Sequence, residues 1–298
     1  MRPDIPRVAA LHDLSGFGRT SLTVAIPILS AMGVQVCPLP TALLSTHTVE
    51  FTEYTLLDLT EEMGKVLNHW ERLGLRFEAV YSGFMACPAQ TDHVVRCIEC
   101  CLAPGGMAVV DPVLGDNGVL DPTMTPDMVV RMRGLVGKAQ VITPNFTEAA
   151  FLLNEPWRER IAPDELRRWL HRLRSMGPDK VVITSVPMSG DPRCLSVVAA
   201  EGEPDGYAER MWKVDCTYIP EHYPGTGDAF ASVLTGSLLA GDSLPIAMDR
   251  AVQFVSMGIR ATFGHNLPPR EGIVLERILD NLRIPLLESR YVPLEAEV

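Results

Sequence analysis

The chain has 298 residues, of which 47% are hydrophobic and 21% charged, and its formal net charge is −11. That length suits a single α/β domain spanning 1–298, and that composition can bury a sizeable core. The acidic balance excludes a nucleic-acid or anionic-membrane partner, since both want a basic face, so any bound anion must be held by helix N-termini, glycine-rich loops or metal ions.

Short apolar runs over 8–11, 34–37, 79–81, 108–110, 139–142 and 181–184 alternate with helical periodicities. This predicts an open, mostly parallel sheet with helices on both faces, a three-layer α/β/α arrangement. Ligands in such sheets gather at the carboxyl ends of the strands, so the residues just after each run matter most. The opening MRPDIPRVAALHD carries no signal-peptide core, and no run of 18 apolar residues exists. After the first strand, HDLSGFGRTS (12–21) contains a GxG, but Ser21 stands where a dinucleotide fingerprint needs Gly or Ala. The second strand ends in Cys37-Pro-Leu-Pro rather than an acidic residue. Asp13 is either a ligand-binding carboxylate or a turn cap.

The second strand leads to LLSTHTVEF (43–51), where Ser45, Thr46, His47 and Thr48 suggest a polar pocket wall. The segment 49–60 sits where a lid could lie. Thr60, followed by Glu61 and Glu62 and by Val66, Leu67 and Trp70, predicts a capped helix. The third strand ends in YSGFMACP, with Phe84 available to stack on a flat ring or to pack in the core. His93, Cys97, Cys100 and Cys101 share a predicted helix with Val94, Ile98 and Leu102, and read as core and boundary thiols rather than a zinc site. The seven cysteines lack disulfide-framework spacing, as expected of reduced cytoplasmic thiols.

The fourth strand gives VVDPVLGDNG. A carboxylate at Asp111, where the sheet ends, needs a partner, such as a hydrated Mg²⁺ or a basic side chain. The fifth ends in TPNFTEAAFLL, where Asn145 and Glu148 have capping-box spacing. Asp111, Asn145 and Glu148 together put three hard oxygen donors on adjacent strand ends, and Thr184 and Ser185 add hydroxyls after the sixth strand. Leu166, Trp169, Leu170 and Leu173 mark a helix. Runs at 194–200 and 207–214 flank the turn-prone EGEPDG and predict an antiparallel hairpin at the sheet edge. From Gly225 the pattern is helical to about Leu282, and 288–298 reads as a loosely held tail.

The stretch HYPGTGDAFAS (222–232) is the most specific signal. Gly225, Thr226 and Gly227 let consecutive backbone N–H groups converge at a helix N-terminus, which carries about half a unit of positive charge. That is a pocket for a phosphoryl group or oxyanion. Asp228, in the first turn, is placed to take a proton from an attacking hydroxyl. GK[ST] is missing, so this is not a Walker loop.

PGTGDAFAS resembles the C-terminal signature of ribokinase-like kinases. LHDLSGFGRTSLTVAIPILSAMG, LLSTHT, YSGFMA, VDPVLGDNG and ITPNFTEAAFLL fall in the order and spacing of the pyridoxal and pyridoxamine kinase branch. The resemblance implies ATP- and Mg²⁺-dependent phosphorylation of the 5′-hydroxymethyl group of pyridoxal, pyridoxamine or pyridoxine, and leaves a monovalent cation such as K⁺ open. It implies Asp228 as base and Gly225, Thr226 and Gly227 as the anion hole. Asp111, Asp116, Asn145, Glu148, Thr184 and Ser185 become nucleotide and metal contacts, with Asp111 and Glu148 nearest the metal. Asp13, Ser15, Thr46, His47 and Phe84 become the substrate pocket. A homodimer is implied too.

Three departures stand out. Asp13 replaces a frequent Ser, which favours a protonated pyridine or an amine and also resembles the hydroxymethylpyrimidine kinases. Phe84 replaces a frequent Tyr. Asp121 falls near a phosphate-contacting Tyr, whose role an acidic group does not inherit. The competing readings are a hydroxymethylpyrimidine or other small-alcohol kinase of the same fold, a non-catalytic B6-binding protein, and an NAD enzyme using GFG.

Overall fold

In the computed structural model, the residues described are 5–188, 194–202, 209–217, 219, 221–286 and 288–294. The chain begins with β1 (Arg7–Leu11), β2 (Leu14–Ser15), α1 (Leu22–Ala31), β3 (Gln35–Pro38), β4 (Ala42–Leu44), β5 (Leu56–Asp58), α2 (Thr60–Arg72) and β6 (Phe77–Ser82). The middle comprises α3 (Gln90–Cys101), β7 (Leu102–Val110), β8 (Gly115–Asp116), β9 (Val119–Leu120), α4 (Pro126–Val136), β10 (Val141–Ile142), α5 (Phe146–Leu153), α6 (Pro163–Ser175) and β11 (Lys180–Val186). Then come β12 (Cys194–Gly202), β13 (Glu209–Thr217), α7 (Thr226–Ala240), α8 (Leu244–Gly264) and β14 (Val292–Pro293).

Nine strands form one sheet in the order β14-β13-β12-β11-β10-β7-β6-β1-β3. From β3 to β11 the pairings are parallel, and from β11 outward they are antiparallel. The parallel strands are nearly all apolar because both of their faces are covered. Successive side chains point to opposite faces. Ala9, Leu11, Val181 and Ile183 therefore pack with the helices α2 to α6, while Val8, Tyr81, Val109 and Val182 pack with α1, α7 and α8. Trp169 of α6 stacks on Phe146 of α5 at 5.0 Å. On α3, Cys97 and Cys101 are buried and Cys100 is exposed.

A small second sheet, β2-β4-β5, takes its first two strands from the segments that follow β1 and β3. Much of the expected lid segment therefore leads into a strand, with Leu43 paired to Leu57.

Three sequence expectations need correction. Thr60 does not cap α2. It is the first helical residue, and Asp58 Oδ1 accepts its N–H at 2.7 Å. Helix does not continue to Leu282. Gly241, in the left-handed region at φ 96°, ends α7, and beyond α8 the prolines at 268 and 269 leave only short 3₁₀ turns. The edge hairpin forms, but β14 adds a further strand outside it. Its turn, from 203 on, and Tyr207 lie outside the described residues.

The tail is held rather than loose as far as Leu294. Asp249, buried on α8, accepts the Arg290 N–H at 2.6 Å, Gln253 donates to the Glu288 carbonyl, and Leu294 is buried. Residues 295–298 are outside the described set.

Candidate active site

The site forms where α7 begins, facing the loop that follows β1. Gly225 is left-handed at φ 78°, and a Cβ there would lie 2.0 Å from the Arg19 carbonyl oxygen. Conformation and close approach both demand glycine. Thr226 turns its hydroxyl back to the Tyr223 carbonyl at 3.0 Å, and no side chain caps the helix. Gly227 differs, because a Cβ there would meet nothing within 4 Å. The first turn of α7 thus faces open space with its N–H dipoles unscreened, an arrangement that suits an anion.

Asp228 borders that space. Its Oδ2 accepts the Ser21 N–H at 2.8 Å, and its side chain is 13% exposed. Burial pushes its pKa up to about 8, the nearby carboxylates Asp111 and Asp13 add to the rise, and the Ser21 N–H opposes it. Ser21 presents that N–H from a non-glycine residue at φ 51°, ψ −125°, a strained backbone of the kind that collects at functional sites. Tyr81 supports the turn from the sheet, with its hydroxyl 3.4 Å from the Asp228 carbonyl.

The expected substrate residues gather on the other side of Asp228. Asp13 is buried and accepts the Ser15 hydroxyl at 3.0 Å, and burial raises its pKa against the pull of the Ser21 and Ser15 hydroxyls. His47 accepts the Val49 N–H on Nδ1 at 3.2 Å, which makes Nε2 the donor to the Arg270 carbonyl at 2.7 Å. Both ring nitrogens are therefore engaged by the protein, and burial holds the ring toward its neutral form. Its ring meets Phe51 edge-on at 4.8 Å. Gly18 makes room for it, since a Cβ there would overlap the imidazole. Thr46 donates to the His47 carbonyl. Phe84 is half-buried and packs against the core on the α2–α6 side.

The expected nucleotide residues line the neighbouring strand ends. Asp111, just past β7, accepts the Thr143 hydroxyl at 3.0 Å. Asn145 and Glu148 form the reciprocal capping box of α5, with Glu148 N–H to Asn145 Oδ1 at 2.9 Å and Asn145 N–H to Glu148 Oε2 at 2.7 Å. Glu148 Oε1 also accepts the Leu114 N–H, and Asn145 donates to the Gly115 carbonyl. Burial drives both Asp111 and Glu148 upward, and Asp111 adds repulsion to Glu148. Thr184 is bridged to Asn145, and Ser185 follows at φ 57°. Asp116 is exposed on the β8–β9 hairpin.

Two buried carboxyls with no basic partner among the described residues fit a hard cation bound through one or two carboxylates and waters. Among the described residues no group of three or more His, Cys, Asp or Glu is gathered as a full metal cage.

Two participants escaped the sequence reading. One is the backbone of Ser21. The other is His12, fully buried, with Nδ1 3.9 Å from Asp228 Oδ1. A histidine directly after an apolar strand was the available signal.

Comparison with known proteins shows which family the chain resembles. The phosphomethylpyrimidine kinase family model matches residues 26–271. A Bacteroides thetaiotaomicron protein described as a phosphomethylpyrimidine kinase, and crystallised with pyridoxal, is 50% identical, with a TM-score of 0.93 over 97% of this chain and 100% of that one. The pyridoxal kinase of Lactobacillus plantarum is 33% identical, with a TM-score of 0.82 over 94% of this chain and 97% of that one. A pyridoxine/pyridoxal/pyridoxamine kinase of Bordetella bronchiseptica is 29% identical over 86% of this chain and 89% of its own length.

Proposed function

The chain belongs to the phosphomethylpyrimidine and pyridoxal kinase family of the ribokinase-like fold, and we propose that it phosphorylates the 5′-hydroxymethyl group of a B6 vitamer at the expense of ATP. The observation that carries this reading is the pairing of Asp228 with the uncapped, open first turn of α7. The γ-phosphate lies against the amides of 226–228, where oriented N–H dipoles meet charge as it develops. Asp228 takes the hydroxyl proton. The freed oxygen pair forms the new O–P bond as the bond to ADP breaks, its electrons leaving on the β-phosphate oxygen. There is little covalent work for the protein beyond positioning and charge stabilisation.

Asp111 and Glu148 would hold Mg²⁺, which when bound would neutralise phosphate charge. Asn145, Thr184, Ser185 and Asp116 face the nucleotide side. Asp13 and Ser15 meet the polar edge of the pyridine, where a carboxyl suits a protonated ring nitrogen or an amine. His47 and Phe84 offer ring faces, since both His47 nitrogens are already bonded. The proposal extends to a cytoplasmic homodimer. Seven free thiols support the location, and the exposed facing pair Leu43 and Leu57 supports a second copy. Light scattering at twice the chain mass would bear the dimer out, and a monomer mass would remove it. Among the described residues, no helix is long and apolar enough to cross a membrane.

A panel of pyridoxal, pyridoxamine, pyridoxine, hydroxymethylpyrimidine and ribose with ATP-Mg²⁺ tests the reading. ADP release with a B6 vitamer as best acceptor supports it. Preference for the pyrimidine or the sugar, or tight vitamer binding without ADP release, removes it.

A further inference from the structure

The transfer described above leaves one buried group without a task. His12 directly follows β1 with its ring fully buried, and among the described residues neither Nδ1 nor Nε2 has a hydrogen-bond partner. The ring meets Tyr81 edge-on at 4.3 Å. The backbone at Gly83 passes so close that a Cβ there would lie 2.3 Å from Nδ1. The socket is therefore cut to the imidazole from two sides. Burying two unpaired ring nitrogens is unfavourable, and a leucine would fill a similar volume without that cost. Nδ1 lies 3.9 Å from Asp228 Oδ1, while Oδ2 of the same carboxyl is pinned by the Ser21 N–H at 2.8 Å.

We propose that His12 is a positioning residue for Asp228, whose neutral ring donates from Nδ1 to Oδ1 and so keeps the carboxylate ionised and aimed at the substrate hydroxyl. The inference rests on the kinase reading. A small rotation would close 3.9 Å to hydrogen-bond distance, and both carboxyl oxygens would then be held by the protein. No proton passes to His12, because the hydroxyl proton goes to Asp228.

The surroundings explain why such a donor is useful. Asp13, in the loop after β1, and Asp111, after β7, both push Asp228 toward its protonated form. Tyr81 of β6 is kept a neutral phenol by burial, and its hydroxyl sits near the Asp228 carbonyl rather than its carboxyl. The Ser21 N–H serves one oxygen. Burial holds the His12 ring neutral, at about 3, so it brings a donor to the other oxygen without a charge of its own.

The test compares wild type with His12→Leu, His12→Asn and Asp228→Asn. A hydrogen bond to a charged acceptor is worth enough to move the acid limb of the kcat/KM profile up by about one pH unit in His12→Leu. At pH 7 that variant then turns over about tenfold slower with KM for ATP within about twofold, and the deficit narrows toward pH 9. Its Tm is equal to or above that of wild type. His12→Asn, whose amide reaches the place of Nδ1, restores most of the rate.

The same shift is read without turnover by carbon-13 NMR of aspartate-labelled enzyme, with the Asp228 signal assigned by its loss in Asp228→Asn. A His12→Leu enzyme with the wild-type profile and the wild-type Asp228 titration overturns the inference, as does a lowered Tm with no rescue by Asn. If wild type phosphorylates no vitamer, the kinase reading falls on its own, and the carboxyl titration still decides what His12 does to Asp228.

Discussion

Two helix N-termini, those of α5 and α7, point from the sheet toward the same end of the molecule, and they are finished in opposite ways. At α5 the chain satisfies itself. Asn145 and Glu148 cap each other reciprocally, and Glu148 also holds the Leu114 N–H. At α7 no side chain caps the first turn, Gly225 presses against the Arg19 carbonyl, and the side of Gly227 opens onto empty space. Capping is the cheaper solution for stability, typically about 1 kcal/mol per cap. A glycine-lined helix start left open on one side, beside a buried carboxyl, suits a partner from outside the chain. On the proposed reading, the α5 terminus is scaffold that holds Glu148 and Asn145 in place, and the α7 terminus is where the phosphoryl group would move.

The largest expected effect lies at α7. Asp228→Asn should leave ATP binding intact by calorimetry and lower kcat by about 10²–10⁴-fold, the usual worth of a positioned base. A variant turning over like wild type would make the two helix starts equivalent and strip α7 of its chemical role. Next comes Gly227→Ala. Glycine within a helix costs roughly 0.5–1 kcal/mol relative to alanine, and the added methyl meets no protein atom within 4 Å. The substitution should raise Tm slightly while it lowers kcat by about 10²-fold, by crowding one donor of the anion pocket. A variant that is both more stable and fully active would show that the open space has no occupant.

The smallest effect belongs to α5. Asn145→Ala removes one arm of a satisfied cap and should cost about 1 kcal/mol of stability in denaturant unfolding. Its main kinetic effect should be a higher KM for ATP, with kcat changed less than in either α7 variant. If it abolished kcat instead, α5 would be chemistry rather than scaffold.

The difference between the two termini also marks how far sequence alone reaches. The parallel strands were legible because helices cover both of their faces, so each reads as an uninterrupted apolar run, such as VAAL at 8–11 and VVI at 181–183. The α7 start was legible because Gly-Thr-Gly-Asp carries its chemistry in four consecutive residues, and the Asn145–Glu148 spacing announced its cap. What stayed hidden depends on the fold. The Ser21 N–H reaches Asp228 across 207 positions, and it donates from the backbone, which no side-chain pattern encodes. His12 gains meaning only when α7 brings Asp228 to it. The tail from 288 looked unattached because its anchor, Asp249, lies some forty residues earlier on α8. The single helix expected from Gly225 to Leu282 failed because apolar periodicity continues across Gly241 while the backbone turns there.

The measurement that bears most directly on the central claim is a crystal structure with a non-hydrolysable ATP analogue, Mg²⁺ and pyridoxal. The account predicts the terminal phosphate within hydrogen-bond distance of the amides of 226–228, with the 5′-hydroxyl of the vitamer between it and the Asp228 carboxyl. A terminal phosphate seated away from the first turn of α7, or a vitamer hydroxyl out of reach of Asp228, would contradict it.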